Sequence, residues 1–244
     1  MTIRFSIDRW AAWAPGLTNN EDWQKWLSAP AALSEEALPA LPEMSSMMRR
    51  RLDRLGRVAL QAAYWARGNA SDAIDCPVIF ASRFGDVVAS VELLRQLAIA
   101  DTMSPAGFSM SVHNAIGAMF SIACGNQQQY TAIAAGQETV EAAFVEASCL
   151  LADGVPAVLV VIYEEQLPNP FEAFDGVDSF PRAWACRLSL AQSSGFSLRS
   201  LVNDGTAAGT SSLPDLDVLR FLTSDATSHY RAIGPRAWHW ERHA

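Results

Sequence analysis

Across residues 45–66 apolar side chains return every three or four positions: Met48, Leu52, Leu55, Val58, Ala59, Ala62 and Ala63, with arginines between them. That spacing puts them on one helical face, so it predicts a single helix from Ser45 to about Ala66, ended at Gly68-Asn69, with one side buried. The rhythm then changes. Residues 77–81 are a short apolar run of strand type, and Asp86 is placed to cap a helix carrying Val87, Val88, Val91, Leu94, Leu97 and Ala98. Residues 104–114 show no regular period and lead into an Ala-rich helix ending near Cys124-Gly125. A strand over 130–133, a helix over 136–152 closed by Asp153-Gly154, and a strand over 157–163 behind Pro156 complete the middle of the chain. Strands and helices alternating at these lengths imply an α/β fold, a layered mixed sheet with crossover connections.

The flanks are less regular. Residues 4–15, around Trp10 and Trp13, carry enough β-favouring positions for a strand or bent hairpin, and 19–22 open a short helix through Trp26. Residues 28–43, rich in Ala and Pro with Glu35 and Glu36, read as a surface connection. Beyond Pro168, runs at 183–191 and 197–202 flank Gln192-Ser193-Ser194-Gly195 and predict an antiparallel hairpin that extends the sheet. A last helix at 216–222 leads to a tail in which Trp238 and Trp240 can dock on the parent domain or on a partner.

Composition narrows the class. With 244 residues, half of them hydrophobic and 18% charged, the chain can bury a substantial core, and a single domain over 1–244 is expected. A net charge of -8 and a pI of 5.0 disfavour a nucleic-acid groove and make the average surface repel acidic carrier proteins. Arg49, Arg50, Arg51, Arg54 and Arg57 form a local exception: either a solvated, ion-paired face or a docking site for an acidic partner. The N-terminus shows no basic stretch followed by an apolar one, so no secretory signal is expected and cytoplasm is the default location. No apolar run approaches the ~20 residues of a membrane span. Cys76, Cys124, Cys149 and Cys186 contain no C-x-x-C pair, which argues against a zinc knuckle or redox dithiol and for small buried hydrophobes.

The candidate chemistry centres on Tyr130-Thr131-Ala132-Ile133-Ala134-Ala135-Gly136. A strand that stops at small residues and opens a helix is where an enzyme displays a reactive group, because helix N-terminal amides stabilise an anion there. At the tip stands Ile133, which can neither attack nor be deprotonated.

The order Ser104-Pro105-x-x-Phe108-x-x-Ser111-Val112-x-Asn114-Ala115, a helix, a strand ending at Ala132-Ile133-Ala134-Ala135-Gly136, a helix closed by Asp153-Gly154, then a Val-rich strand resembles the N-terminal half of β-ketoacyl synthases, enzymes of the thiolase fold. Met48-x-x-Arg51-Leu52-Asp53-Arg54-Leu55-Gly56-Arg57 is similar to the family's early arginine-bearing helix, and the resemblance covers residues 45–165. It implies a truncated thiolase-like domain in which Ile133 stands where active members carry the acyl-accepting cysteine. Two histidines of the family's C-terminal half are not encoded, and His113, His229, His239 and His243 lie in other contexts. The chain thus resembles a chain length factor, the inactive ketosynthase-like subunit of type II polyketide systems, and the short ketosynthase-like proteins of bacterial aryl polyene clusters.

That resemblance implies a heterodimer with an active β-ketoacyl synthase, an indirect relation to an acyl carrier protein, and no cofactor. It places Gln129, Tyr130, Thr131 and Ala132 at the dimer interface and Phe108, Met110, Val112 and His113 toward the acyl cavity. Read from the residues alone, Phe108, Met110 and Val112 alternate like one face of an extended strand and suit internal packing. His113 then reads as a hydrogen-bonded structural histidine and Asn114 as a helix N-cap. Rival functions are a stand-alone acyl-thioester enzyme using Cys124, Cys149 or Ser111, and a homodimeric binding module.

Overall fold

The computed structural model describes residues 2–33, 37–68, 75–174, 179–203, 205 and 212–243; Glu35, Glu36 and Asn69, named above, lie outside them. In chain order the regular elements are β1 (Thr2–Trp13), α1 (Asn20–Ser28), α2 (Ser46–Arg49), α3 (Arg54–Arg67), β2 (Val78–Ala81), α4 (Val87–Ala98), α5 (Pro105–Met110), α6 (Ala115–Cys124) and β3 (Tyr130–Ile133). There follow α7 (Thr139–Ala152), β4 (Val158–Glu164), β5 (Arg182–Ser189), β6 (Gly195–Val202), α8 (Pro214–Thr223), β7 (Ser228–Ile233) and β8 (Arg236–His243). The strands among the described residues join one mixed sheet in the order β3-β2-β4-β5-β1-β6-β8-β7, with β3, β2 and β4 parallel and the remainder antiparallel. This is the layered α/β architecture that the alternation of strands and helices implies.

The centre of the sheet explains why its strands read as continuous apolar runs. On β4, Val158, Val160 and Ile162 face α7, while Leu159, Val161 and Tyr163 face α3; every one is buried. A strand covered on both faces has no polar side to alternate with. α3 lies on β5, β1 and β4, and α7 lies on β4, β2 and β1 across the sheet.

Three expectations need correcting, and the alternatives left open for the tail are resolved. The single helix over 45–66 is two: Asp53 turns extended, and its side chain accepts the Gly56 N–H at 2.7 Å, starting α3 afresh after the short α2. A local cap outweighs continuous apolar spacing there. Residues 28–43 are not wholly a surface connection, because Leu41 is fully buried beneath α3, its N–H donating to Gln61 Oε1 at 2.8 Å. β5 and β6 do not form a hairpin. β1 inserts between them, antiparallel to both, so the chain's first strand takes the place expected for the hairpin's own pairing. Gly195, at φ +144°, permits this: a Cβ there would stand 2.5 Å from the Phe5 carbonyl oxygen. The tail is the β7–β8 hairpin, with Trp240 fully buried among Phe5 and Phe144.

Candidate functional site

β3 ends the sheet. Val78 N–H donates to Gln129 O at 3.0 Å and Ser82 N–H to Ile133 O at 3.1 Å, so alternate residues of β3 turn their backbone groups to β2 and the others, Tyr130 and Ala132, to the open edge. Ile133 closes the strand with its side chain half-buried against the core under α7. Ala134 and Ala135 are exposed, and Gly136 adopts φ +58° at the start of a single 3-10 turn over Gly136–Glu138. Thr139 stitches the turn: its hydroxyl donates to Gly136 O at 2.7 Å and accepts from Ala135 N–H at 3.0 Å. The residue at the tip, Ile133, has no nucleophilic atom in its side chain.

Polar groups gather around it. At the end of β4, Glu164 turns its carboxylate inward and accepts from Arg83 N–H at 2.5 Å and Ser82 Oγ at 3.3 Å. Burial pushes this carboxyl up to about 8, against the pull of those donors. His113 caps the same loop: its Nε2 donates to Ser82 O at 3.1 Å, and its ring lies where a Cβ on Gly85 would stand 2.8 Å from Cδ2. Its role in the structure is to hold the loop after β2.

The start of α7 is clamped from the opposite end of the sheet. Glu141, fully buried, pairs with Arg231 of β7, which also donates to Gln137 O at 3.0 Å. Burial pushes the Glu141 carboxyl up while Arg231 draws it down. From β8, Arg236 and Trp238 Nε1 reach Glu138 at 2.6 and 2.9 Å. These contacts escaped sequence reasoning, although an acidic residue inside so apolar a helix as α7 was a usable signal. Both tail tryptophans therefore dock within the chain. A cleft of about 40 Å³ between Arg83, Thr139, Glu164 and Arg231 has room for little beyond water.

The other expected site residues sit on α5 and the residues after it. Ser104 accepts from Gly107 N–H at 3.2 Å and Pro105 takes the first helical position, so 104–110 coil into α5 instead of extending. The alternation of Phe108, Met110 and Val112 is thus not a strand face. Phe108 is 59% and Val112 44% exposed, which overturns internal packing for both, whereas Met110 is partly buried beside Ile116, Met119 and Phe120 of the core under α3 and α6. Asn114 occupies the N-cap of α6 without a side-chain capping bond. Gln129 and Tyr130 are exposed, Thr131 and Ala132 half-exposed. Tyr130 fits against Gly117 of α6, where a Cβ would come within 2.8 Å of its ring. Leu94, Leu97, Phe108, Val112, Ile122 and Tyr130 are all exposed on α4, α5, α6, β3 and the residues joining them, each element touching the next. They are exposed apolar side chains on successive neighbouring elements, the last of which is the edge strand β3.

The alternative nucleophiles fare differently. Burial pushes the Cys124 thiol up, as it does Cys76 and Cys186. Cys149 is exposed, contrary to its expected burial, near the C-terminal end of α7, and Ser111 donates its hydroxyl to Phe108 O at 2.9 Å. Of the arginine cluster, Arg54 is ion-paired with Glu165 at 3.1 Å, Arg49 and Arg57 bond backbone carbonyls, and Arg50 and Arg51 are exposed. Among the described residues no His, Cys, Asp and Glu group is placed to hold a metal, and no helix is long and apolar enough to cross a membrane.

The mixed sheet with its flanking helices matches the thiolase-like ketosynthase fold, and the sequence matches the family model for the N-terminal domain of β-ketoacyl synthases over residues 23–241. The chain belongs to the β-ketoacyl synthase family. Curated proteins give no match to the sequence. Among solved structures, it is similar to a chain of the ketosynthase ApeO in complex with its chain length factor ApeC from Xenorhabdus doucetiae, with 25% identity and a TM-score of 0.84 over 98% of this chain and 100% of that one. The ishigamide ketosynthase/chain length factor is 17% identical at a TM-score of 0.64, with 83% of this chain and 68% of that one covered. A β-ketoacyl synthase from Burkholderia phymatum STM815 is 13% identical at 0.58, covering 84% and 65%. The last two show the fold alone.

Proposed function

We propose that this chain is a non-catalytic subunit of the chain length factor type, which pairs with an active β-ketoacyl synthase and helps shape its acyl cavity in polyketide synthesis of the aryl polyene kind. The observation that carries the reading is Ile133: a strand, a tight turn and a helix meet at a side chain that cannot form a thioester, and by the family resemblance this is where active members carry the acyl-accepting cysteine. Three features support it. β3 presents an unpaired edge at Tyr130 and Ala132, exposed apolar side chains stand on the elements beside it, and a chain of matching length belongs to a ketosynthase and chain length factor complex. On this reading Gln129 to Ala132 meet the partner's equivalent strand, Phe108 and Val112 face the acyl chain, and Met110 and His113 hold that wall in place.

The test is co-expression with the ketosynthase encoded nearest to this chain, followed by size-exclusion chromatography with light scattering. A stoichiometric complex whose activity disappears when the partner's cysteine alone is replaced is the expected outcome. A monodisperse chain that ignores the ketosynthase sinks the proposal and turns attention to a homodimeric module.

A further inference from the structure

The Ala/Pro-rich connection after α1 forms one wall of a cleft. α1 ends at Ser28, ahead of Pro30, and Trp26 Nε1 donates to Ala31 O at 2.8 Å, which folds the connection back beside the helix. α8 closes the other side, tied to α1 by Arg220 Nε donating to Leu27 O at 2.7 Å. Ala31 and Ala32 supply too little side chain to fill the space between. Among the described residues this leaves a cleft of about 500 Å³ lined by Trp26, Leu33, Phe180 and Leu216, with Ser179 and Arg220 as polar members of the lining. A largely apolar space of that size with a few polar groups is the form of a small-molecule site.

Its apolar wall is aromatic and fixed. Trp23 and Phe180 meet the Trp26 ring edge-on, with centroids at 5.8 and 5.6 Å, and the Arg182 guanidinium lies 5.4 Å from the centroid of Phe180. Such rings favour another flat ring, packed offset or edge-on. Two donors on the lining have bonds left to make. Ser179 Oγ is shielded from water and has no partner among the described residues, so a turn about χ1 that offers its proton to an acceptor in the cleft gains a bond without losing one to water. Arg220 commits Nε to Leu27 O and Nη1 to Asp217 at 2.9 Å, which leaves Nη2 without a bond among the described residues. Leu33, Ser179 and Phe180 also line a second cleft, of about 700 Å³, that reaches Leu38 and Val88, so the occupant has room to extend beyond a single ring.

We propose that the cleft between α1 and α8 binds a flat aromatic molecule that carries a carboxyl or carboxamide group. The ring packs on Trp26 and Phe180, and the oxygen acceptor takes the Ser179 hydroxyl proton and an N–H of Arg220. An acceptor is what the lining lacks, because Asp217 is already held by Arg220. None of the lining residues belongs to β3 or α5, so the site stands apart from the pairing with a ketosynthase and does not rest on it.

Isothermal titration of the full chain with 2-naphthoate and, separately, with 2-naphthamide tests the site and tells the two forms of ligand apart. At least one probe should bind with a Kd below about 1 mM. Naphthoate binding about tenfold tighter than naphthamide would assign the site to a free carboxylate on Arg220, and naphthamide binding equally or better would assign it to the neutral group. Ala32→Trp, at an exposed position, fills the cleft with an indole and should weaken the better probe by about tenfold or more. Ser179→Ala removes the unpartnered hydroxyl and should weaken it by about threefold to tenfold, and it keeps the test open if the larger residue disturbs the fold. No binding of either probe to the wild type would overturn the site. Affinity unchanged in both variants would overturn it equally, by placing the probe elsewhere on the chain.

Discussion

The two edges of the sheet are built on opposite plans. β7 carries His229 and Arg231, and its hairpin partner β8 brings Arg236 and Trp238, all turned to contacts within the chain at Gln137, Glu138, Glu141 and Phe221. β3 is Tyr130-Thr131-Ala132-Ile133, with no charge and no proline, and among the described residues no strand pairs with its outer side. An edge without charge, proline or bulge invites pairing, and proteins that stay monomeric ordinarily guard against it. The contrast shows where the chain is closed on itself, and on the proposed function the open edge is where another polypeptide pairs.

Breaking the closed edge should have the largest effect. Arg231→Met strands the fully buried Glu141 without its partner, and loss of one member of such a pair costs about 3–5 kcal/mol. Urea unfolding of the full chain should show that loss, and Arg231→Met with Glu141→Leu should recover most of it. A single variant as stable as wild type would mean that the clamp does not hold α7.

The open edge should respond in association, not in folding. Ala132→Pro removes an N–H that faces outward from β3, where proline is tolerated, so the ladder to β2 is kept. Pairing with a ketosynthase should weaken by about tenfold or more, the ~1.4 kcal/mol of a lost ladder bond and its disturbed neighbours. Equal affinity for wild type and variant, measured by titration of the purified subunits, would remove β3 from the interface.

Acidity sharpens the comparison along the loop after β2, which lies beside the open edge. Asp86 and Glu164 are both held up to about 8, above their unfolded values near 4, so the folded chain keeps protons that the unfolded chain has released between those limits. Their contribution is fully present below about pH 4, declines as pH rises through about 8, and is level beyond. The melting temperature should accordingly be lower at about pH 8.5 than at about pH 5.5, and Glu164→Gln should flatten part of the slope. A melting temperature that climbs over this interval would contradict both assignments.

The legibility of these features follows from their range. β2, β3, β4, α4, α6 and α7 were visible because each is a contiguous run whose periodicity or cap lies within a few residues, and the strand-to-helix turn at Ile133 is equally local. The insertion of β1 between β5 and β6 was not visible, since a strand's neighbours depend on contacts nearly two hundred residues away, such as Phe5 with Phe196. The same holds for Arg231 and Glu141. The α2–α3 break and α5 were local but decided by capping side chains, Asp53 and Ser104, that apolar spacing ignores. The site residues on α5 were named from family resemblance, and their exposure came only from the fold.

The smallest change in stability belongs to the residue with the most specific proposed role. Phe108 is 59% exposed on α5, and the side chain has no hydrogen-bonding duty, so Phe108→Ala should alter the unfolding free energy by no more than about 0.5 kcal/mol. If Phe108 faces the acyl cavity of a paired ketosynthase, the same substitution enlarges that cavity by most of an aromatic ring, and the product distribution should shift toward longer chains. Mass spectrometry of products from the reconstituted pair, alongside unfolding of the isolated chain, separates the two effects. Unchanged products with unchanged stability would leave Phe108 outside the cavity, and a strongly destabilised chain would return it to internal packing despite its exposure.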